Sequence, residues 1–175
     1  MQLNSYIDFF NYYFKSDLIK TQIDDSIKII RGSNRIFFIG NGGSNSICSH
    51  MMEDFMKIAR KQTFSFSDPA LITCFSNDYG YDNAMKEWLK VMWSENDILV
   101  AISSSGNSSN INNAVDYVKT RNGQVITLSG FGKENNLSHK GNVNFYLPVS
   151  SYGIVECYHQ IILHVILDSI VTNEK

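Results

Sequence analysis

The chain has 175 residues, of which 43% are hydrophobic and 18% charged, with a formal net charge of −2 at pH 7. That length and apolar content are enough for one good core and argue against a disordered chain. The balanced charge offers no positive field for a nucleic-acid backbone, so no nucleic-acid partner is expected.

Residues 3–31 read as helix with a break near Ser16-Asp17. Tyr6, Phe9, Phe10, Tyr13 and Phe14 recur at intervals of three and four, as do Leu18, Ile19, Ile23, Ile27 and Ile30. The aromatics of the first part exceed what a small outer helix needs, and both core contact and a subunit interface remain open for them. Arg31-Gly32-Ser33-Asn34 stops the helix. The apolar strand 35–39 then runs into Gly40-Asn41-Gly42-Gly43-Ser44, which opens a helix to about residue 60. Residues 62–66 and 71–75 read as short strands parted by a Ser67-Asp68-Pro69 turn, with Asn77-Asp78-Tyr79-Gly80 in the loop that follows. A helix over 82–93 leads to a strand at 97–102, and that strand runs into Ser103-Ser104-Ser105-Gly106-Asn107-Ser108. A helix over 110–120, strands at 124–128 and 143–147, and a closing helix over 153–171 complete the chain.

Apolar strands alternating with helices predict one α/β domain over 1–175, a parallel sheet covered on both faces as an α/β/α sandwich. Right-handed crossovers bring both strand-to-helix turns to the carboxyl edge, where they line one crevice. No apolar stretch reaches the ~20 residues that span a bilayer. Met1-Gln2-Leu3-Asn4-Ser5 lacks the pattern of a signal peptide. Cys48, Cys74 and Cys157 are scattered, with no C-x-x-C pair, and read as reduced thiols packed as small hydrophobes. A cytoplasmic protein without a membrane segment is expected.

The two turns expose backbone N–H groups and hydroxyls at the positive ends of helices, where an anion such as phosphate is stabilised. Neither is followed by the Lys of a nucleotide-binding loop, and neither reads G-x-G-x-x-G, so a phosphorylated small molecule is expected rather than ATP or a dinucleotide. Ser103, Ser104, Ser105 and Ser108 are the phosphate contacts, and Asn77-Asp78 is a candidate polar contact to a polyol. His50 and Asp54 stand one turn apart on the helix after the first turn. Glu156 and His164 stand about 80° apart around the closing helix, whereas His159 is turned away from His164. These groups are able to hold a divalent metal or to work as an acid/base set.

On these residues the chain resembles the sugar isomerase (SIS) domain family, and within it the phosphoheptose isomerases. The likeness rests on Gly40-Asn41-Gly42-Gly43-Ser44, Asn77-Asp78-Tyr79-Gly80, Ser103-Ser104-Ser105-Gly106-Asn107-Ser108 and Val125-Ile126-Thr127-Leu128-Ser129-Gly130. The resemblance implies a five-stranded parallel sheet of flavodoxin- or Rossmann-like type and a homotetramer with sites near subunit boundaries. It implies substrate contacts from Asn41, Gly42, Gly43, Ser44, Asn77, Asp78, Ser103, Ser104, Ser105 and Ser108.

The family's zinc ligands are two histidines, a glutamate and a glutamine. His50 and His164 match the histidines, Asp54 stands at the glutamate position and Glu156 at the glutamine position. Zinc or another divalent ion is the implied cofactor. Asp54 or Glu156 is the implied base, with His164 as partner acid. The implied reaction converts sedoheptulose 7-phosphate to D-glycero-D-manno-heptose 7-phosphate for a bacterial surface glycan, lipopolysaccharide or capsule. The shorter Asp54 and the extra charge of Glu156 depart from the family. They keep open an isomerase for a different phosphosugar, or a non-catalytic SIS protein of the replication initiator-associating type.

Overall fold

The structure, a computed structural model, describes residues 3–172. The ends of the expected 1–175 domain, Met1-Gln2 with its share of the leader reading and 173–175, lie outside the described residues. The elements in chain order are α1 Leu3–Phe14, α2 Asp17–Gly32, β1 Arg35–Ile39, α3 Gly43–Lys57, β2 Gln62–Ser65, α4 Pro69–Tyr79 and α5 Tyr81–Met92. They continue with β3 Ile98–Ser103, α6 Ser109–Thr120, β4 Gln124–Gly130, a short 3-10 turn Asn136–His139, β5 Val143–Leu147 and α7 Tyr152–Thr172. The five strands form one sheet in the order β2-β1-β3-β4-β5, and every pairing is parallel.

Alternate strand residues feed two cores, as a pleated sheet buried on both faces requires. Ile36, Phe38, Ile98, Val100 and Ile102 pack with Met51, Phe55, Tyr158 and Ile162 beneath α2, α3 and α7. Phe37, Ile39, Leu99 and Ala101 pack with Trp88, Leu89, Ile111 and Val115 beneath α5 and α6. The first layer also takes the aromatics of α1: Phe14 stacks on Tyr158 with ring centroids 5.5 Å apart, and Phe9, Phe10 and Tyr13 pack partly buried against that core.

The structure corrects several readings of the sequence. Residues 71–75 are helix, not strand. Asp68 caps α4 by accepting a hydrogen bond from the Leu71 N–H at 3.0 Å, and Pro69 occupies its first turn. The Ser67-Asp68-Pro69 signal is thus a helix start rather than a turn between strands. Leu71, Ile72 and Phe75 follow helical spacing and lean on the second core. Asn77 and Asp78 close this helix instead of lying in a loop.

Strand β3 runs Ile98–Ser103 rather than over 97–102, and the Asp97 carboxylate just before it tethers neighbouring segments. That carboxylate accepts from Arg35 Nε at 2.9 Å and from the Ser94 N–H at 2.7 Å. Of the three free cysteines only Cys48 is buried, whereas Cys74 and Cys157 are exposed. Helix α7 is also 21 residues long and, by length and composition, apolar enough to cross a membrane, contrary to expectation. Nine of its residues are buried against the sheet and α2, as befits a core helix.

Candidate functional site

Strands β1 and β3 are neighbours with Ile39 in register with Ala101, so the two glycine- and serine-rich turns leave the sheet side by side. This is the point where the strand order reverses direction, and an open α/β sheet leaves a crevice there at its carboxyl edge. In the first turn Gly42 has a φ of 53°, a conformation that favours glycine. The turn delivers Gly43 and Ser44 as the first residues of α3.

A cavity of about 210 Å³ opens between the turns. One wall is Asn41, Gly42, Gly43 and Ser44, the other Ser103, Ser104, Ser105 and Ser108, and α7 contributes Tyr152 and Glu156. The lining carries hydroxyls and the N-terminal ends of α3 and α6, with no Lys or Arg among the described residues.

Hydrogen bonds within the serine turn fix its shape. Ser103 Oγ lies 3.2 Å from Ser108 Oγ and accepts from the Gly106 N–H, and Ser105 Oγ accepts from the Asn107 N–H at 3.2 Å. Ser104 Oγ is buried with no partner among the described residues, although its residue lines the cavity. A buried hydroxyl without a partner costs free energy that a bound acceptor would offset.

The first turn is braced by residues that sequence reasoning passed over. Asn41 Oδ1 accepts from Asn110 Nδ2 at 2.9 Å and from Tyr81 Oη at 2.8 Å, while Asn41 Nδ2 donates to Asn110 Oδ1 at 3.0 Å. Asn110 lies in the first turn of α6, so this amide pair ties the two turns together. An Asn two residues past a serine loop was the only signal available. Asn77 and Asp78, by contrast, are exposed at the end of α4, bonded to each other at 2.9 Å, and do not line the cavity.

Helices α3 and α7 bring a second cluster together. His50, Asp54 and His164 offer nitrogen and carboxylate oxygen atoms that all lie within 4.8 Å of one another. His50 Nε2 is 3.5 Å and His164 Nδ1 3.8 Å from Asp54 Oδ2, and the two imidazole rings meet edge to face at 5.4 Å. Two imidazoles and one carboxylate are the donor set of a divalent transition metal with an open position, so the residues present fit such an ion.

Glu156 stands apart from that trio. Its carboxylate lies against Gly43, where a Cβ would come within 2.6 Å of Glu156 Cδ. Two turns of helix, about 12 Å of rise, separate it from His164. Gln160 occupies the intervening turn, its Nε2 2.8 Å from His164 Nε2 and 2.9 Å from Met51 Sδ. Its type and spacing carry no distinctive signal, and the sequence reading left it out.

His159 belongs to the core instead. It is fully buried with its Nε2 3.3 Å from the Ser129 carbonyl, and burial lowers its pKa to about 4. Burial likewise pushes the Cys48 thiol well above its ordinary range, which leaves it inert.

The family model for the SIS domain matches residues 29–155, which hold both turns, His50 and Asp54. A phosphoheptose isomerase of Fusobacterium nucleatum is 32% identical over 148 residues, covering 81% of this chain and 75% of the relative. A phosphoheptose isomerase of Sodalis glossinidius is 27% identical across 99% of this chain and 93% of its own. Among solved structures, phosphoheptose isomerase from Neisseria gonorrhoeae superposes with a TM-score of 0.84, at 22% identity, over 97% of this chain and 94% of that one.

Proposed function

This chain belongs to the SIS domain family, and we propose that it isomerises sedoheptulose 7-phosphate to D-glycero-D-manno-heptose 7-phosphate, as part of heptose supply for a surface glycan. The observation that carries this reading is the cavity itself. A wall of hydroxyls and helix N-termini faces a carboxylate, Glu156, across a space about the size of a sugar phosphate. Relatives named phosphoheptose isomerase over most of the chain support the same reaction.

The serine turn takes the phosphate, with the Ser104 hydroxyl gaining the acceptor it lacks. Asn41 and Gly43 hold the sugar end against α3. His50, Asp54 and His164 hold a divalent ion, zinc in our reading, which when bound supplies Lewis-acid stabilisation of charge on the substrate oxygens.

Asp54 is faced by both imidazoles, whereas Glu156 stands free in the cavity wall, so Glu156 is the carboxylate we assign to proton transfer. It removes the proton from C1 of the ketose and returns it to C2 of the enediol. The proton of the C1 hydroxyl passes to the former carbonyl oxygen, so no atom is gained or lost. His164 has one ring nitrogen toward Asp54 and the other on Gln160, and we place it in the metal-holding set rather than as the acid.

The whole chain acts as one domain in this reading, and the three free cysteines fit a cytoplasmic setting. Leu3 and Ile7, one turn apart, expose an apolar edge of α1, 74% and 50% accessible, which a homotetramer would cover.

The test is an NMR time course of zinc-supplemented protein with a panel of ketose phosphates. Appearance of the aldoheptose 7-phosphate from sedoheptulose 7-phosphate, and slower or no turnover of the others, supports the assignment. Binding of the phosphosugar with no turnover of any member would instead favour a binding-only SIS protein.

A further inference from the structure

Gln160 sits on α7 one helical turn after Glu156 and one turn before His164, so the three share a stripe facing α3. Its Nε2 reaches His164 Nε2 at 2.8 Å and the sulfur of the buried Met51 on α3 at 2.9 Å. His164 thus has one ring nitrogen occupied by the amide, and the other, Nδ1, lies 3.8 Å from Asp54 Oδ2. An imidazole on a helix is free to turn about its side-chain bonds. Here Gln160 clamps it from one edge while Met51 anchors the clamp.

We propose that Gln160 is the positioning residue for His164, holding Nε2 so that Nδ1 is the atom presented to Asp54 and His50 and thereby to the ion. This rests on the metal reading of that trio. Two nitrogens at 2.8 Å share a proton, and the amide NH2 is the donor when His164 Nε2 accepts. That arrangement leaves the His164 proton on Nδ1, facing the Asp54 carboxylate.

An amide turned end for end presents Oε1 instead and accepts from Nε2–H, which frees the Nδ1 lone pair for a cation. The bond to His164 survives that turn while the donation to Met51 Sδ is given up, so Gln160 can pair with the ring with and without an ion. A carboxylate there could only accept and an ammonium only donate. Metal-bound histidines commonly pass their second nitrogen to such a partner, and losing it weakens metal affinity by about 10–100-fold.

The experiment uses the full chain and two readouts. The first is the long-range ¹H–¹⁵N spectrum of histidine-labelled protein after zinc removal, with His164 identified by its loss in His164→Asn. Wild type is expected to show His164 as the single Nδ1–H tautomer, and Gln160→Met, which keeps the volume without the hydrogen bond, as a mixture. The second is zinc affinity by competition with a chromophoric chelator. It is expected to fall by about 10–100-fold in Gln160→Met and to recover in Gln160→Glu, which still accepts from Nε2–H.

An unchanged tautomer and unchanged zinc affinity in Gln160→Met would overturn the proposal and leave Gln160 as packing between α3 and α7. Should the Met variant fail to fold, Gln160→Glu carries the spectrum alone, expected to convert metal-free His164 to the Nε2–H tautomer. If wild type takes up no zinc, the metal reading of the trio fails, and the metal-free spectrum still decides whether Gln160 holds His164.

Discussion

Replacing Gly43 by Ala separates the placement of Glu156 from the stability of the fold. A Cβ at Gly43 would stand 2.6 Å from Glu156 Cδ and Oε2, where ordinary contact begins near 3.4 Å, so the carboxylate must retreat by close to 1 Å. The obstacle is the far end of a flexible side chain, and Gly43 does not occupy the left-handed region, so the backbone of α3 has no reason to move. Alanine is also the better helix former by up to about 1 kcal/mol. A displacement of about 1 Å at a reacting group costs on the order of 100-fold in rate.

The expected result is therefore a kcat for sedoheptulose 7-phosphate lowered by about 100-fold, with the thermal midpoint unchanged or slightly raised. Steady-state kinetics and a melting curve on the same preparation measure both. An unchanged kcat would refute the assignment of proton transfer to Glu156. A large loss of stability would refute the claim that the side chain, and not α3, gives way.

Ser104→Ala removes a buried hydroxyl that has no partner among the described residues, so stability should hold or rise slightly while KM rises by about 10-fold or more; a fall in stability would make Ser104 structural instead. Asp54→Asn removes the carboxylate facing both imidazoles and should weaken zinc binding by about 100-fold or more in a chelator competition, leaving the fold intact. His159 stays unprotonated in the native state down to about pH 4, whereas the unfolded chain takes up a proton near pH 6.5. The unfolded state thus binds more protons between those values, and stability falls as pH drops through this window, by about 2 kcal/mol between pH 7 and 5. Denaturant unfolding at the two pH values, compared with His159→Gln, should show that slope shrink in the variant.

The sheet and most helices were legible because their signals are local. Strands β1 and β3 carry unbroken apolar runs, residues 36–39 and 98–102, and the periodicity of α2, α5 and α6 belongs to amphipathic helices. Helix α4 was missed because Asp68-Pro69 serves equally as a turn and as a cap with a first-turn proline. Only the shared burial of Leu71, Ile72 and Phe75 against the second core decides between them.

The cavity was legible from its two turns, since parallel-sheet topology alone sends both to one edge. Which carboxylate faces the cavity was not, because His50 and Asp54 on α3 meet His164 on α7 only through packing of the two helices. Gln160 and Tyr81 were silent in the sequence for the same reason. Their partners, His164 with Met51 and Asn41, are fixed by the tertiary fold.

The central claim is proton transfer between C1 and C2 of a ketose phosphate at this cavity. Its most direct test is incubation of the zinc-supplemented protein with sedoheptulose 7-phosphate in D₂O, followed by NMR. The account predicts an aldoheptose 7-phosphate that carries solvent deuterium at C2. A ketose that keeps both C1 protons and yields no aldose, on a folded protein that binds both zinc and the ketose, would contradict it.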